Sequence, residues 1–153
     1  MRKFLNTCID IEETIAAIYR LFAETVSCDE ALKKIWDEMA NEEDQHASLI
    51  RFASRLPGNE TFLGQKMTQD RVDQLLYRLK VVLERAKGEP LTVESALRVS
   101  MKLEGEFTAV HVASAAEFID IKMKEMFQKL AYGDQEHKQA LEDYYVKFFG
   151  HHG

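Results

Sequence analysis

The sequence predicts an all-α protein, four long helices in an antiparallel bundle with an extra helix between the second and third. Three observations carry this reading. The 153 residues include only two prolines and seven glycines, against 46% apolar and 30% charged residues, a composition rich in helix formers and poor in turn breakers. Apolar residues recur at alternating steps of three and four, the period of left-handed bundle packing. The breaks between these runs fall at short clusters of capping and turn residues. A chain of this length buries about two-thirds of its unfolded surface, so residues 1–153 are expected to form one domain.

In chain order, the first helix is predicted from about Lys3 to Val26 and the second from about Asp29 to Leu56, with Ser27 and Asp29 as capping types at the break. So short a connection makes the two helices antiparallel neighbours. Pro57-Gly58-Asn59 ends the second helix, and the stretch to Met67 reads as a crossover loop. The extra helix spans about Gln69 to Lys87. Gly88-Glu89-Pro90 breaks the chain before a third bundle helix, about Thr92 to Glu117, and a fourth, about Asp120 to Phe149.

Charge and cysteine usage narrow the function classes. A formal net charge of −6 disfavours a nucleic-acid backbone or an anionic membrane surface as partner and suits metal cations. Cys8 and Cys28 form no Cys-x-x-Cys pair, so neither a rubredoxin-type iron site nor a structural zinc site can be built. Two such cysteines suit a reducing cytosol. The start of the chain reaches Asp10, Glu12 and Glu13 before any long apolar run, which predicts a cytoplasmic protein without signal peptide or membrane span.

Every bundle seam is interrupted near its middle by ionisable or phenolic side chains. The four seams are Leu5, Cys8, Glu12, Ile15, Tyr19, Phe22, Val26; Leu32, Trp36, Met39, Glu43, His46, Ile50, Ala53; Leu97, Ser100, Glu104, Phe107, His111, Ser114, Phe118; and Met123, Phe127, Leu130, Asp134, His137, Leu141, Tyr144, Phe148. The halves also repeat one another. Glu12 precedes Tyr19 by seven and Glu43 by thirty-one, while Glu104 precedes His111 by seven and Asp134 by thirty, and an acid-x-x-His pair closes each half. Two hairpins related by a pseudo-twofold would bring all four acids and both histidines to one level of the core.

Four buried carboxylates facing one another would repel and resist ionisation. Two divalent cations balance them, and two imidazoles add neutral nitrogen ligands. Residues at i and i+3 share a helix face, so Glu43 with His46, and Asp134 with His137, can each reach one metal while Glu12 and Glu104 complete or bridge the pair. The expected ligands are Glu12, Glu43, His46, Glu104, Asp134 and His137. Tyr19 and His111 are the candidate catalytic residues, placed to hydrogen-bond a ligand, with His111 also a candidate extra ligand. Glu13, Glu42, Glu106 and Glu136 read as solvated charges. Asp134 is one methylene shorter than its counterpart Glu43, so the two metal positions are expected to be unequal.

These residues resemble the rubrerythrin-type domain of the ferritin-like di-iron carboxylate superfamily. The resemblance lies in Glu12 to Tyr19 with Phe22-Ala23-Glu24, in Asn41 to Ala47 around Glu43 and His46, and in Leu103-Glu104 and Asp134-Gln135-Glu136-His137. It covers nearly the whole chain apart from the extra helix. It implies a ferritin-like bundle with two irons, manganese or zinc being alternatives, and oxidoreductase chemistry on oxygen or hydrogen peroxide, peroxidase- or ferroxidase-like, in oxidative-stress defence. With no rubredoxin domain attached, an electron donor would be a separate protein or the reaction would stop after one oxidation; a homodimer is also expected. The pattern departs from that family at Phe107, where rubrerythrins carry another glutamate, at Asp134, which replaces a glutamate, and at His111, where a tyrosine would mirror Tyr19. The alternatives are iron handling and a metal-free bundle that binds a partner through Val72, Leu75, Leu76, Leu79, Val82 and Leu83 of the extra helix.

Overall fold

A computed structural model describes residues 2–55, 63–64 and 66–150. Among these the chain is all-helical, with no strands: α1 (Arg2–Thr25), α2 (Glu30–Ala53), α3 (Gln69–Gly88), α4 (Val93–Ala115) and α5 (Ile121–Phe149). Each helix after the first begins where a short polar side chain satisfies an orphan backbone N–H. Asp29 accepts from Leu32, Thr68 from Arg71, Thr92 from Ser95 and Asp120 from Met123. The helix boundaries follow the sequence expectation to within three residues. The expected second-helix terminus at Leu56 and the Pro57-Gly58-Asn59 break lie outside the described residues.

The helices α1 and α2 form one hairpin and α4 and α5 another, α2 also touches α5, and α3 lies along α1. Nearly every seam residue is buried, including Ile15, Tyr19, Trp36, Ile50, Phe107 and Phe127. The exceptions are His46, which is half-buried, and Phe148, which is 51% exposed. The whole last turn of α5 is exposed, Val146, Phe148 and Phe149 alike, while Tyr144 and Tyr145 are buried one turn earlier, so the end of the helix runs past the core and Phe148 leans on Tyr144.

The apolar face of α3 is used inside the chain. Besides its seam, α1 buries a second stripe at Phe4, Thr7, Ile11 and Ile18. Against α1, α3 buries Val72, Leu75 and Leu79 and half-buries Leu76, Val82 and Leu83, while Gln69 donates to the Thr7 hydroxyl at 2.9 Å. The most deeply buried residues of that stripe, Val72, Leu75 and Leu79, are thus covered within the chain, while Leu76, Val82 and Leu83 stay half-buried. Before α3, Leu63 N–H donates to the Glu117 carbonyl and Lys66 N–H to its buried carboxylate, both at 2.9 Å.

Polar contacts fix how the hairpins meet. The Trp36 indole N–H, fully buried and tilted against Phe22, donates to Ser100 Oγ at 3.2 Å, and Ser100 donates to the Ala96 carbonyl. Tyr144 donates to Asp29, pinning α5 to the cap of α2. Removing an acceptor leaves a buried donor stranded, at about 1–3 kcal/mol. Ser100→Ala should therefore destabilise the protein by about 1–3 kcal/mol in chemical denaturation, and an unchanged unfolding midpoint would show that the indole does not need this partner.

Candidate metal centre

The interruptions of the four seams meet in the core. Glu12, Glu43, Glu104 and Asp134 are each at most 1% exposed, His111 and His137 are buried, and His46 is half-buried. Glu43 lies between two imidazoles, with Oε2 3.4 Å from His46 Nδ1 and Oε1 3.3 Å from His137 Nδ1. The two rings stack at a centroid distance of 6.4 Å. Glu12 Oε2 lies 3.9 Å from His46 Nδ1, and Glu104 Oε1 lies 3.6 Å from His137 Nδ1. Ligand atoms lie within 4.8 Å of one another in two groups, Glu43, Glu104, Asp134 and His137, and Glu12, Glu43 and His46. Glu43 belongs to both.

The residues seven positions after each first acid cross between hairpins. Tyr19 of α1 donates to Glu104 Oε1 of α4 at 2.8 Å, and His111 Nε2 of α4 lies 2.8 Å from Glu12 Oε1 of α1. His111 is engaged at both nitrogens, its Nδ1 lying 2.5 Å from Asp134 Oδ2. It joins neither ligand group. Both Tyr19 and His111 thus touch carboxylates of the cluster.

Two contacts were not legible in the sequence. His137 Nε2 meets the carboxylate of Glu42, which is half-exposed yet reaches the site from the position just before Glu43. Its counterpart in the repeat is Gly133, and a Cβ there would lie 3.5 Å from His46 Cε1 and Nε2. In each half the residue before the second acid abuts the other half's histidine, a relation visible only once the hairpins face each other. Glu13 pairs with Arg51 and Glu106 with Arg78, away from the cluster, and Glu136 is exposed.

The cluster is unfinished as a hydrogen-bond network. Both oxygens of Glu43, Glu12 Oε2, Glu104 Oε2, Asp134 Oδ1, and Nδ1 of His46 and of His137 are buried without a hydrogen-bond partner, and Glu12 Oε1 faces His111 Nε2 outside hydrogen-bond geometry. Buried polar groups are ordinarily satisfied, and like charges about 4 Å apart repel by about 4 kcal/mol even at an effective dielectric constant of 20. These are the atoms with which carboxylates and imidazoles hold metals. The donor set therefore fits metal ions, in two ligand groups that share Glu43.

Without metal, protons do the balancing. Burial, with the Glu12 charge adding to it, raises Glu43. Burial also raises Glu104 to about 8, with Glu43 and Asp134 adding to it against His137. Burial opposes protonation of His46, but Glu12 and Glu43 outweigh it and lift it to about 10. Glu104 and Glu43 likewise lift His137 to about 11 against its burial. Glu12 runs the other way, since Glu43 and the nearby histidines outweigh burial and hold it near 2.

No family model matches the chain, and no curated protein or solved structure is significantly similar to it. The site stands on its own geometry. Among the described residues no helix is long and apolar enough to cross a membrane.

The pH dependence follows from these directions. Glu104 and the two histidines bind more protons folded than unfolded, so their contribution is complete below their unfolded values of 4.5 and 6.5 and is lost as pH rises through about 8, 10 and 11. Glu12 contributes above 4.5 and loses this as pH falls towards 2. Melting curves of the metal-free protein should therefore drop steadily from about pH 6 to about pH 10. Divalent metal should stabilise more strongly as pH rises over the same span, because ligands must shed protons to bind it. A metal-free melting temperature that climbs across this range would contradict the proton-filled core.

Proposed function

We propose that the protein is a ferritin-like bundle of the rubrerythrin kind, with α3 as its extra helix, that holds two iron ions in its core and acts as an oxidoreductase on oxygen or hydrogen peroxide. The observation that carries this reading is the set of eight buried donor atoms on Glu12, Glu43, His46, Glu104, Asp134 and His137 that lack hydrogen-bond partners and converge from α1, α2, α4 and α5. A charged cluster of this kind is far too costly to keep in a core for packing alone.

In this proposal Glu12, Glu43 and His46 would hold one ion, and Glu43, Glu104, Asp134 and His137 the other. Bound iron supplies the one-electron chemistry that protein side chains lack. Tyr19 orients Glu104 and holds a proton at its hydroxyl beside the centre. Glu42 fixes the His137 ring from its far nitrogen, so that Nδ1 faces the ligand group. Buried Ile15, Met39, Phe107 and Leu130, each within a turn of a ligand, keep bulk water out. A separate electron-donor protein, a cytoplasmic setting and a homodimer complete the proposal.

Anaerobic loading with ferrous iron followed by elemental analysis should find two irons per chain, and addition of oxygen or hydrogen peroxide should convert them to ferric iron with its near-ultraviolet absorption. Fewer than one iron per chain would sink the reading. Glu43→Gln, which removes the shared charge but keeps the shape, should weaken metal binding by about tenfold or more. In the metal-free state it should melt no lower than the parent, because it relieves carboxylate repulsion.

A further inference from the structure

The two halves of the chain serve as each other's control. The repeat sets Glu12 against Glu104, His46 against His137, Tyr19 against His111, and Glu43 against Asp134. The first two pairs are chemically identical. The other two differ, and in the second half the differing residues touch, His111 Nδ1 lying 2.5 Å from Asp134 Oδ2.

Tyr19 has one hydroxyl and gives its proton to Glu104 of the opposite hairpin. His111 approaches the matching carboxylate, Nε2 lying 2.8 Å from Glu12 Oε1 outside hydrogen-bond geometry, and has a second ring nitrogen left over. That nitrogen meets the carboxylate that the missing methylene of Asp134 would otherwise leave short of its neighbours. The two acids end in different states. Glu43 has both oxygens without a hydrogen-bond partner and belongs to both ligand groups, whereas Asp134 has only Oδ1 without one and belongs to a single group.

We propose that His111 and Asp134 are a matched pair in which the imidazole fills the space of the missing methylene and ties up one Asp134 oxygen, so that Asp134 serves one metal position and Glu43 is the sole bridging carboxylate. The inference rests on the two-metal reading above. His111 is then a positioning residue and not a ligand, since both its nitrogens face carboxylate oxygens of other helices. One half of the chain supplies a bridge, the other a terminal ligand, and the two positions bind metal with different strength.

The internal repeat supplies the test, because His111→Tyr and Asp134→Glu together give the second half the first half's residues at these two positions, with Glu42 against Gly133 the difference left at the cluster. The parent, both single variants and the double variant would be compared without metal by thermal melting and with metal by anaerobic Co2+ titration followed by visible absorption. Residues in contact are expected to couple. Each single substitution should lower the metal-free melting temperature by about 3 °C or more, and the double variant should recover most of the loss. The parent should bind Co2+ in two steps about tenfold or more apart, and the double variant in steps within about threefold.

Melting shifts that simply add would overturn the matched pair. A double variant that keeps the parent's gap would overturn the origin assigned to the inequality. A double variant that folds where His111→Tyr alone does not would be the recovery expected. His111→Asn, too short to span Glu12 and Asp134, should release Asp134 and also narrow the gap; an unchanged gap in it would count against the proposal even if neither tyrosine variant folds. A parent that takes up no Co2+ would overturn the two-metal reading and the ligand half of this inference, while the melting comparison separately decides the pairing.

Discussion

Four carboxylates packed into a buried core form the constraint on which the rest of the structure depends. Glu12, Glu43, Glu104 and Asp134 are too close and too deeply buried to be ionised together without countercharge. Either protons or cations must occupy the space between them. The surrounding design serves that requirement: two imidazoles turn Nδ1 inward, a third imidazole and a phenol link carboxylates across the hairpins, and apolar seam residues close the core above and below.

The same charges that make the centre costly also specify how the hairpins dock. Tyr19 with Glu104 and His111 with Glu12 are reciprocal contacts between α1 and α4, and sliding one hairpin along the other would strand all four groups in a low-dielectric interior. Trp36 with Ser100 adds a neutral contact in the same direction. Apolar side chains alone tolerate such slippage, since hydrophobic burial has no direction. The polar centre thus supplies a register that packing does not, and the helix α3 adds stability by covering the second apolar stripe of α1 without contributing to the ligand groups.

The proposed redox role turns on the mixture of sameness and difference between the halves. A strictly symmetric cluster would offer two equivalent metal positions. Here the pairs Glu42 and Gly133, Glu43 and Asp134, and Tyr19 and His111 all break the symmetry, and all three lie at the cluster. Repetition explains why four helices deliver ligands to one level, and divergence at these three pairs is where the two positions can acquire separate tasks.

By itself the sequence determined the all-α class, the helix limits to within a turn and the ligand candidates. Helical periodicity is a local property, and an acid or imidazole inside an otherwise apolar seam is visible wherever the seam can be traced. The buried acids Glu12, Glu43, Glu104 and Asp134 were legible for that reason. The fate of α3 was not, because an apolar stripe shows that a face must be covered and not by what. Nor were the contacts of Glu42 with His137 and of His111 with Asp134, since Glu42 stands off the seam and His111 has two nitrogens whose partners come from different helices. Phe148 satisfied the repeat and still faces water, because the last turn of α5 extends beyond the other helices and is exposed on every side, which a seven-residue count does not reveal. Those assignments depend on which surfaces meet across long stretches of chain, and only the tertiary structure decided them.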